Sequence, residues 1–229
     1  MEIKPIAYFR SPFSGKFGIP RQAGLAQELR GQIVFESEFR SADALRGLEG
    51  FDYLWLIWEF SGNPDSAAGF QATVRPPRLG GNQRVGVFAS RSPFRPNPLG
   101  LSSVRLESID YEAKGPDGKP LGPVINVLGA DLMDLTPIYD IKPYVVYSDS
   151  HPCARSGFVD SAVWEPLEVI IPDCSGGSGI DLEALREVLA LDPRPHYHDD
   201  PSREYGMSFS GKEVRFKVAG RVLTVLSIS

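Results

Sequence analysis

Short strand-like runs broken by proline- and glycine-rich connections fill the first two-thirds of this 229-residue chain. That spacing excludes a fold built mainly of long helices. Apolar or alternating runs lie at 3–9, 33–35, 53–60, 85–89, 103–111, 124–128 and 141–142. Connections such as RPPRLGGN and KGPDGKPLGP separate them, and the chain holds 23 glycines and 20 prolines, enough to turn it many times. Many short strands with turn signals between them fit a barrel or a sandwich. One helical segment interrupts the pattern: SADALRGLEG reads as a short helix with Ser41 as its N-cap and Gly50 past its end.

A change of texture follows. SDSHPCARSG and PDCSGGSG are rich in Ser, Gly and Pro and read as a linker with an arm. DLEALREVLALDPRP then reads as one helix, with Leu182, Leu185, Val188 and Leu189 on one face and Pro193 marking its end. Alternating strands close the chain, VRFKV and RVLTVLSI forming a hairpin across Ala219 and Gly220. The expected organisation is mainly β: a β-rich domain over 1–148, a linker over 149–177, and a small α+β domain over 178–229.

Composition narrows the function classes. A hydrophobic share of 42% and a charged share of 23% are ordinary for a chain with a packed core. The net charge of −5 argues against indiscriminate nucleic-acid binding, although a local basic patch is compatible with it. Two cysteines, Cys153 and Cys174, make neither a disulfide framework nor a zinc set. The opening MEIKPIAYFR lacks a signal-peptide core, and YLWLIW is far too short to cross a bilayer. A cytoplasmic protein with no membrane partner is expected.

Common site signatures are missing or incomplete. No G-x-G-x-x-G follows a strand. GMSFSGKE, at 206–213, imitates a phosphate loop but puts Glu213 where a Ser or Thr is required, and a strand follows instead of a helix. HYHDD offers His196 and His198 without a third ligand, so no metal is expected. G-x-S-x-G is absent.

Three stiff loops stand out instead. In RSPFRPNPLGLSSVRL the prolines fix their own φ and restrict their predecessors, so little entropy remains to lose on binding. FGIPRQAG joins Pro to Arg and Gln. DLMDLTPIYDIKPY spaces Asp131, Asp134 and Asp140 among apolar residues, where carboxylates need arginines or a ligand's hydroxyls and amines as partners. RSPF itself occurs twice, at 10–13 and 91–94, an echo with meaning only if both copies line one site.

These segments, together with TVRPPRLGG, resemble the TsaA/TrmO family of tRNA methyltransferases, which act on N6-threonylcarbamoyladenosine next to the anticodon. The likeness runs almost continuously over about 3–147, and DPRPHYHDDPSREYG resembles the C-terminal domain of longer bacterial members. The resemblance implies a single β-barrel-like domain that binds S-adenosylmethionine, in keeping with the missing glycine fingerprint, and a homodimer with the cofactor near the subunit interface.

Carried over position by position, the resemblance puts cofactor contacts at Pro20, Arg21 and Gln22, at Arg91 and Leu101, and at Asp131, Leu132, Met133 and Asp134. After the LWLIWEF run the family often has His-Gln; here Ser61 and Gly62 stand instead, which implies contact through the backbone. Candidates for a general base are Tyr205, His198, Asp134 and Asp140, unranked by the sequence, with Asp140 equally suited to pair with Lys142. Arg75, Arg78, Arg84, Arg95, Arg194 and Arg203 form the candidate basic set for the tRNA anticodon stem-loop, and Tyr197 is a candidate to stack a base. The competing readings are a methyltransferase for another substrate and a noncatalytic RNA-binding or cofactor-sensing module.

Overall fold

A computed structural model describes residues 2–63, 70–76, 83–161, 165–173, 179–195 and 200–229. Arg78, Cys174, His196, Tyr197 and His198 lie outside them. The first part of the chain forms β1 (Ala7–Arg10), β2 (Arg30–Phe35), β3 (Tyr53–Glu59), β4 (Thr73–Val74), β5 (Val85–Gly86), β6 (Leu99–Asp110), β7 (Val124–Leu128) and β8 (Pro137–Pro143). Six of these join antiparallel in the order β1-β2-β7-β6-β3-β8, and β8 pairs back onto β1 through Ala7 and Ile138. The ring is therefore closed and leaves no edge strand to be protected. β4 and β5 pair separately.

Alternation explains the barrel core. Leu54, Leu56 and Trp58, every second residue of β3, point inward, with Val104, Ile125, Val127 and Ile138 from neighbouring strands. Two glycines admit ring systems to this core. A Cβ on Gly31 would stand 2.1 Å from the Phe9 ring, and one on Gly100 would stand 2.2 Å from the Trp58 indole.

The rest of the chain holds α1 (Val146–Asp149), β9 (Glu168–Ile170), α2 (Leu182–Ala190), β10 (Glu204–Phe209), β11 (Lys212–Ala219) and β12 (Val222–Ile228). The second sheet runs β10-β11-β12-β9, with β9 parallel to β12. Asp181 caps α2, its Oδ1 accepting from the backbone N–H groups of Glu183 and Ala184 at 3.1 Å. Leu185, Val188 and Leu189 pack the helix on this sheet. Leu182 departs from expectation: it occupies the first helical position, 41% exposed, and Ala184 takes the buried place.

Other expectations shift in detail. SADALRGLEG folds as two 3-10 turns, Ala42–Leu45 and Leu48–Gly50, because Gly47 between them adopts φ 89°, and Ser41 makes no side-chain cap. The first strand begins at Ala7, well after Ile3. β6 starts at Leu99, four residues ahead of the expected Ser103. β9 lies inside the stretch read as linker.

The two sheets are joined by residues from the start of the chain. Phe13, Ala26 and Leu29 belong to the second core, not the barrel's. Phe13 meets Phe209 edge to face at 5.5 Å. The Ser210 N–H donates to the Pro12 carbonyl at 2.8 Å, and Arg30 reaches both Glu107 on β6 and Asp181, each at 3.0 Å.

Candidate cofactor-binding site

The segment 131–134, between β7 and β8, is the point on which the loops converge. Gly129 enters it with φ 76° and exchanges backbone hydrogen bonds with the first loop and β2: its carbonyl accepts from Gly24 at 2.8 Å and its N–H donates to Leu29 at 2.9 Å. Leu135 leaves it with φ 63°, a left-handed backbone that a leucine adopts only under constraint. Here its N–H donates to the Phe9 carbonyl at 2.8 Å, and the Thr136 hydroxyl donates to the Met133 carbonyl at 2.8 Å.

Both copies of RSPF abut this segment. In the first, the Ser11 N–H donates to Asp134 Oδ1 at 3.1 Å and Arg10 pairs with Asp134 at 3.7 Å. In the second, the charge of Arg91 acts on Asp131. Each copy makes the same local turn: Ser11 Oγ accepts from the Phe13 N–H and Ser92 Oγ from the Phe94 N–H, both at 3.3 Å. The echo thus brings Arg10 onto Asp134, while Arg91 acts on Asp131 by its charge. Arg10 was missed when the sequence was read, although the repeat pointed to it.

The first and second loops meet directly, Arg91 Nη1 donating to Gln22 Oε1, while Gln22 Nε2 donates to the Arg21 carbonyl at 2.6 Å. Pro20 is buried and Arg21 exposed. Ser61 and Gly62 close the turn after β3; a Cβ on Gly62 would stand 2.9 Å from Lys16 Cε and 3.1 Å from Met133 Cε. Lys16 Nζ donates to Asn63 Oδ1 at 2.6 Å, tying that turn to the first loop. Pro20–Gln22, Ser61–Gly62, Arg91 and Met133 therefore belong to one cluster. A hollow of about 230 Å³ adjoins it, lined by Lys16, Pro20 and Arg21 on one side and by Val188, Leu191 and Asp192 on the other.

Leu101 sits on the outer face of β6 opposite Ile57 and is 58% exposed. Leu132 is 1% exposed within the barrel core, so it offers a ligand its backbone and not its side chain. Asp131 accepts from the Ser102 hydroxyl at 2.6 Å. Burial pushes its carboxyl above the usual carboxylate range, against the Ser102 hydroxyl, the backbone N–H groups of Asp131 and Ala23, and the Arg91 charge.

The remaining candidates separate. Asp140 pairs with Lys142 at 2.8 Å and accepts from the Ile141 N–H at 3.0 Å, the structural alternative foreseen for it. Tyr205 is 7% exposed in the second core and stacked on Phe216 at 5.6 Å, a poor position from which to take a proton from a large substrate. Arg194 is held by Asp192 at 2.8 Å with little exposed side chain. Arg95 donates within its own loop to the Val87 and Ser90 carbonyls at 3.2 and 2.8 Å and lies over the Phe88 ring. Arg75 and Arg84 are exposed beside β4 and β5, Arg84 Nη1 donating to Thr73 Oγ1 at 3.2 Å. Arg203 is exposed over the Tyr205 ring.

The likeness to known proteins runs over both parts of the chain. The family model described as tRNA-methyltransferase O N-terminal domain matches residues 8–150, and the one described as TrmO C-terminal domain matches 178–229. The tRNA (adenine(37)-N6)-methyltransferase of Escherichia coli is 37% identical over 238 residues, covering 99% of this chain and 97% of its own. A putative S-adenosylmethionine-dependent methyltransferase of Pseudomonas aeruginosa is 39% identical over 214 residues, covering 90% and 87%. A crystal structure of TrmO from Pseudomonas aeruginosa superposes with a TM-score of 0.76 at 30% identity, covering 100% of this chain and 98% of that one.

Proposed function

Because the chain belongs to the TrmO family of tRNA methyltransferases, we propose that it is an S-adenosylmethionine-dependent tRNA (adenine(37)-N6)-methyltransferase, with the exocyclic nitrogen of N6-threonylcarbamoyladenosine as acceptor. The observation that carries this reading is the convergence of the PRQ loop, the turn after β3 and both RSPF loops on 131–134. Arg91, the Asp131 and Asp134 carboxylates and the Met133 side chain stand together there. That donor set fits a ligand bearing a carboxylate, an amine, ribose hydroxyls and a cationic sulfur.

S-adenosylmethionine, when bound, supplies the methyl group. Arg91 and Arg21 are the groups for its carboxylate. Asp131 is the acceptor for a hydroxyl or the amine, and Leu101 and Met133 give apolar surface. Asp134, already committed to the Ser11 N–H and Arg10, holds the loop in shape. Rate then comes mainly from holding the acceptor nitrogen in line, since its lone pair is delocalised into a urea-like group.

For the RNA, Arg75, Arg84 and Arg203 are the exposed members of the basic set, with Arg78 beside them in sequence; Arg95 and Arg194 already donate within their own loops. A homodimer belongs to the same proposal: Phe88, Phe94, Leu99 and Leu101 leave an apolar surface beside Arg91 that a second copy would cover. A cytoplasmic enzyme is the setting this substrate requires.

Mass spectrometry of tRNA nucleosides from cells with and without the protein tests the reaction. Loss of the methylated threonylcarbamoyladenosine peak is expected, and an unchanged profile rejects the reading. Calorimetry with S-adenosylmethionine tests the site: Arg91→Ala is expected to weaken binding at least tenfold, the scale of one charged hydrogen bond, and Asp134→Ala less.

A further inference from the structure

Ser102 and Thr136 are the two buried polar residues found among the described core, and Ser102 is 2% exposed. It follows from strand alternation: Gly100, Ser102 and Val104 are the inward positions of β6, so a hydroxyl is carried into the barrel wall. A buried hydroxyl needs partners, and this one has two. Trp58 Nε1 donates to Ser102 Oγ at 2.9 Å, and Ser102 Oγ donates to Asp131 Oδ1 at 2.6 Å.

With Asp131 ionised, the relay has one sense. An indole N–H donates and never accepts, so Ser102 must accept from Trp58. The hydroxyl's single hydrogen is then free for Asp131, and the 2.6 Å separation is that of a hydroxyl donating to a carboxylate. Trp58 thereby fixes the direction of the hydroxyl, and the hydroxyl fixes which Asp131 oxygen is an acceptor. Trp58 is itself immobilised by Gly100, whose missing Cβ leaves room for the indole.

The groups facing Asp131 are few. Arg91 brings the positive charge, β6 brings Ser102, and the first loop brings the Ala23 N–H; burial opposes them all. We propose that Ser102, locked by Trp58, is a positioning residue that orients Asp131 and keeps it a hydrogen-bond acceptor towards a hydroxyl or amine of the methyl donor. The last step rests on the functional reading above; the relay itself does not.

The test begins on ligand-free protein labelled with ¹³C at aspartate carboxyls, with Asp131 assigned by Asp131→Asn and followed against pH. In Ser102→Ala the Asp131 midpoint is expected to rise by about one pH unit, because a donor to the charged form is lost. Trp58→Phe is expected to raise it less, since the hydroxyl remains but is free to turn away, and Ser102→Thr to restore it. A merely structural role would lower thermal stability and leave the midpoint in place. Calorimetric affinity for S-adenosylmethionine should fail on acidification at a pH higher by the same shift in Ser102→Ala. An unchanged or lowered midpoint in Ser102→Ala overturns the relay; if that variant does not fold, an unchanged midpoint in Trp58→Phe does so. Midpoints that move as expected in a chain that binds no S-adenosylmethionine would instead overturn the assignment of the site.

Discussion

The indole of Trp58 lies on the bare backbone of Gly100, so closely that a Cβ there would stand 2.2 Å from its Cε2. The two residues are cross-strand partners of β3 and β6, and Ser102 follows on the same inward face. Gly100→Ala is expected to push the ring out and destabilise the fold by about 1–3 kcal/mol, the range for overfilling a packed core. Urea unfolding measures it. A variant as stable as the parent would show that the ring is not confined.

Tyr139 donates to Glu59 across β8 and β3, two residues before Ser61, and its phenol is pushed up to about 12, chiefly by that hydrogen bond. The folded value lies above the unfolded one of about 10. Its stabilising share is therefore fully present below about pH 10 and is lost as the pH rises through about 12. Phenolate absorbance should show a tyrosine titrating near 12, and Glu59→Gln should return it towards 10.

Phe13 leaves the barrel strand β1 only to bury its ring against Phe209. Phe13→Ala is expected to cost about 3–5 kcal/mol, as for other large aromatic deletions. Hydrogen exchange should quicken in β10 and β11 more than in β3. Equal effects on both sheets would contradict the division into two cores.

Arg30 bridges Glu107 and Asp181 from an exposed position. Asp181→Ala should still lower stability by about 1 kcal/mol near 1 M salt, because it removes the cap of α2. Arg30→Met should have a smaller effect that disappears near 1 M salt, where screening acts over about 3 Å. Thermal melts at two ionic strengths distinguish the two.

How much of this was legible beforehand depends on the residue. β3 and β7 follow from short apolar runs, the β11–β12 hairpin from alternation, and the helix α2 from its apolar spacing. β6 reaches back beyond Ser103 into the proline-stiffened loop; the reason for Gly100 is a ring on another strand, invisible in local pattern. β9 escaped because three residues between Pro166 and Pro172 are too few to carry a period, and only β12 gives them a partner. The stiff loops and the aspartates were visible by type and spacing, and they do meet. Which arginine serves which partner was not: Arg10 was overlooked, while Arg95 and Arg194 turn back to carbonyls and an aspartate nearby.

Ser14 and Ser208 share a hydrogen bond across 194 residues of sequence, and Pro12 accepts from Ser210 beside them. A ribosome making this chain releases Phe13 early and β10 late. Through most of translation an aromatic ring bound for the second core has nothing to cover it. Newborn chains should thus be most vulnerable to aggregation and to chaperone capture at their leading end, and truncation after the barrel would leave that hazard permanent.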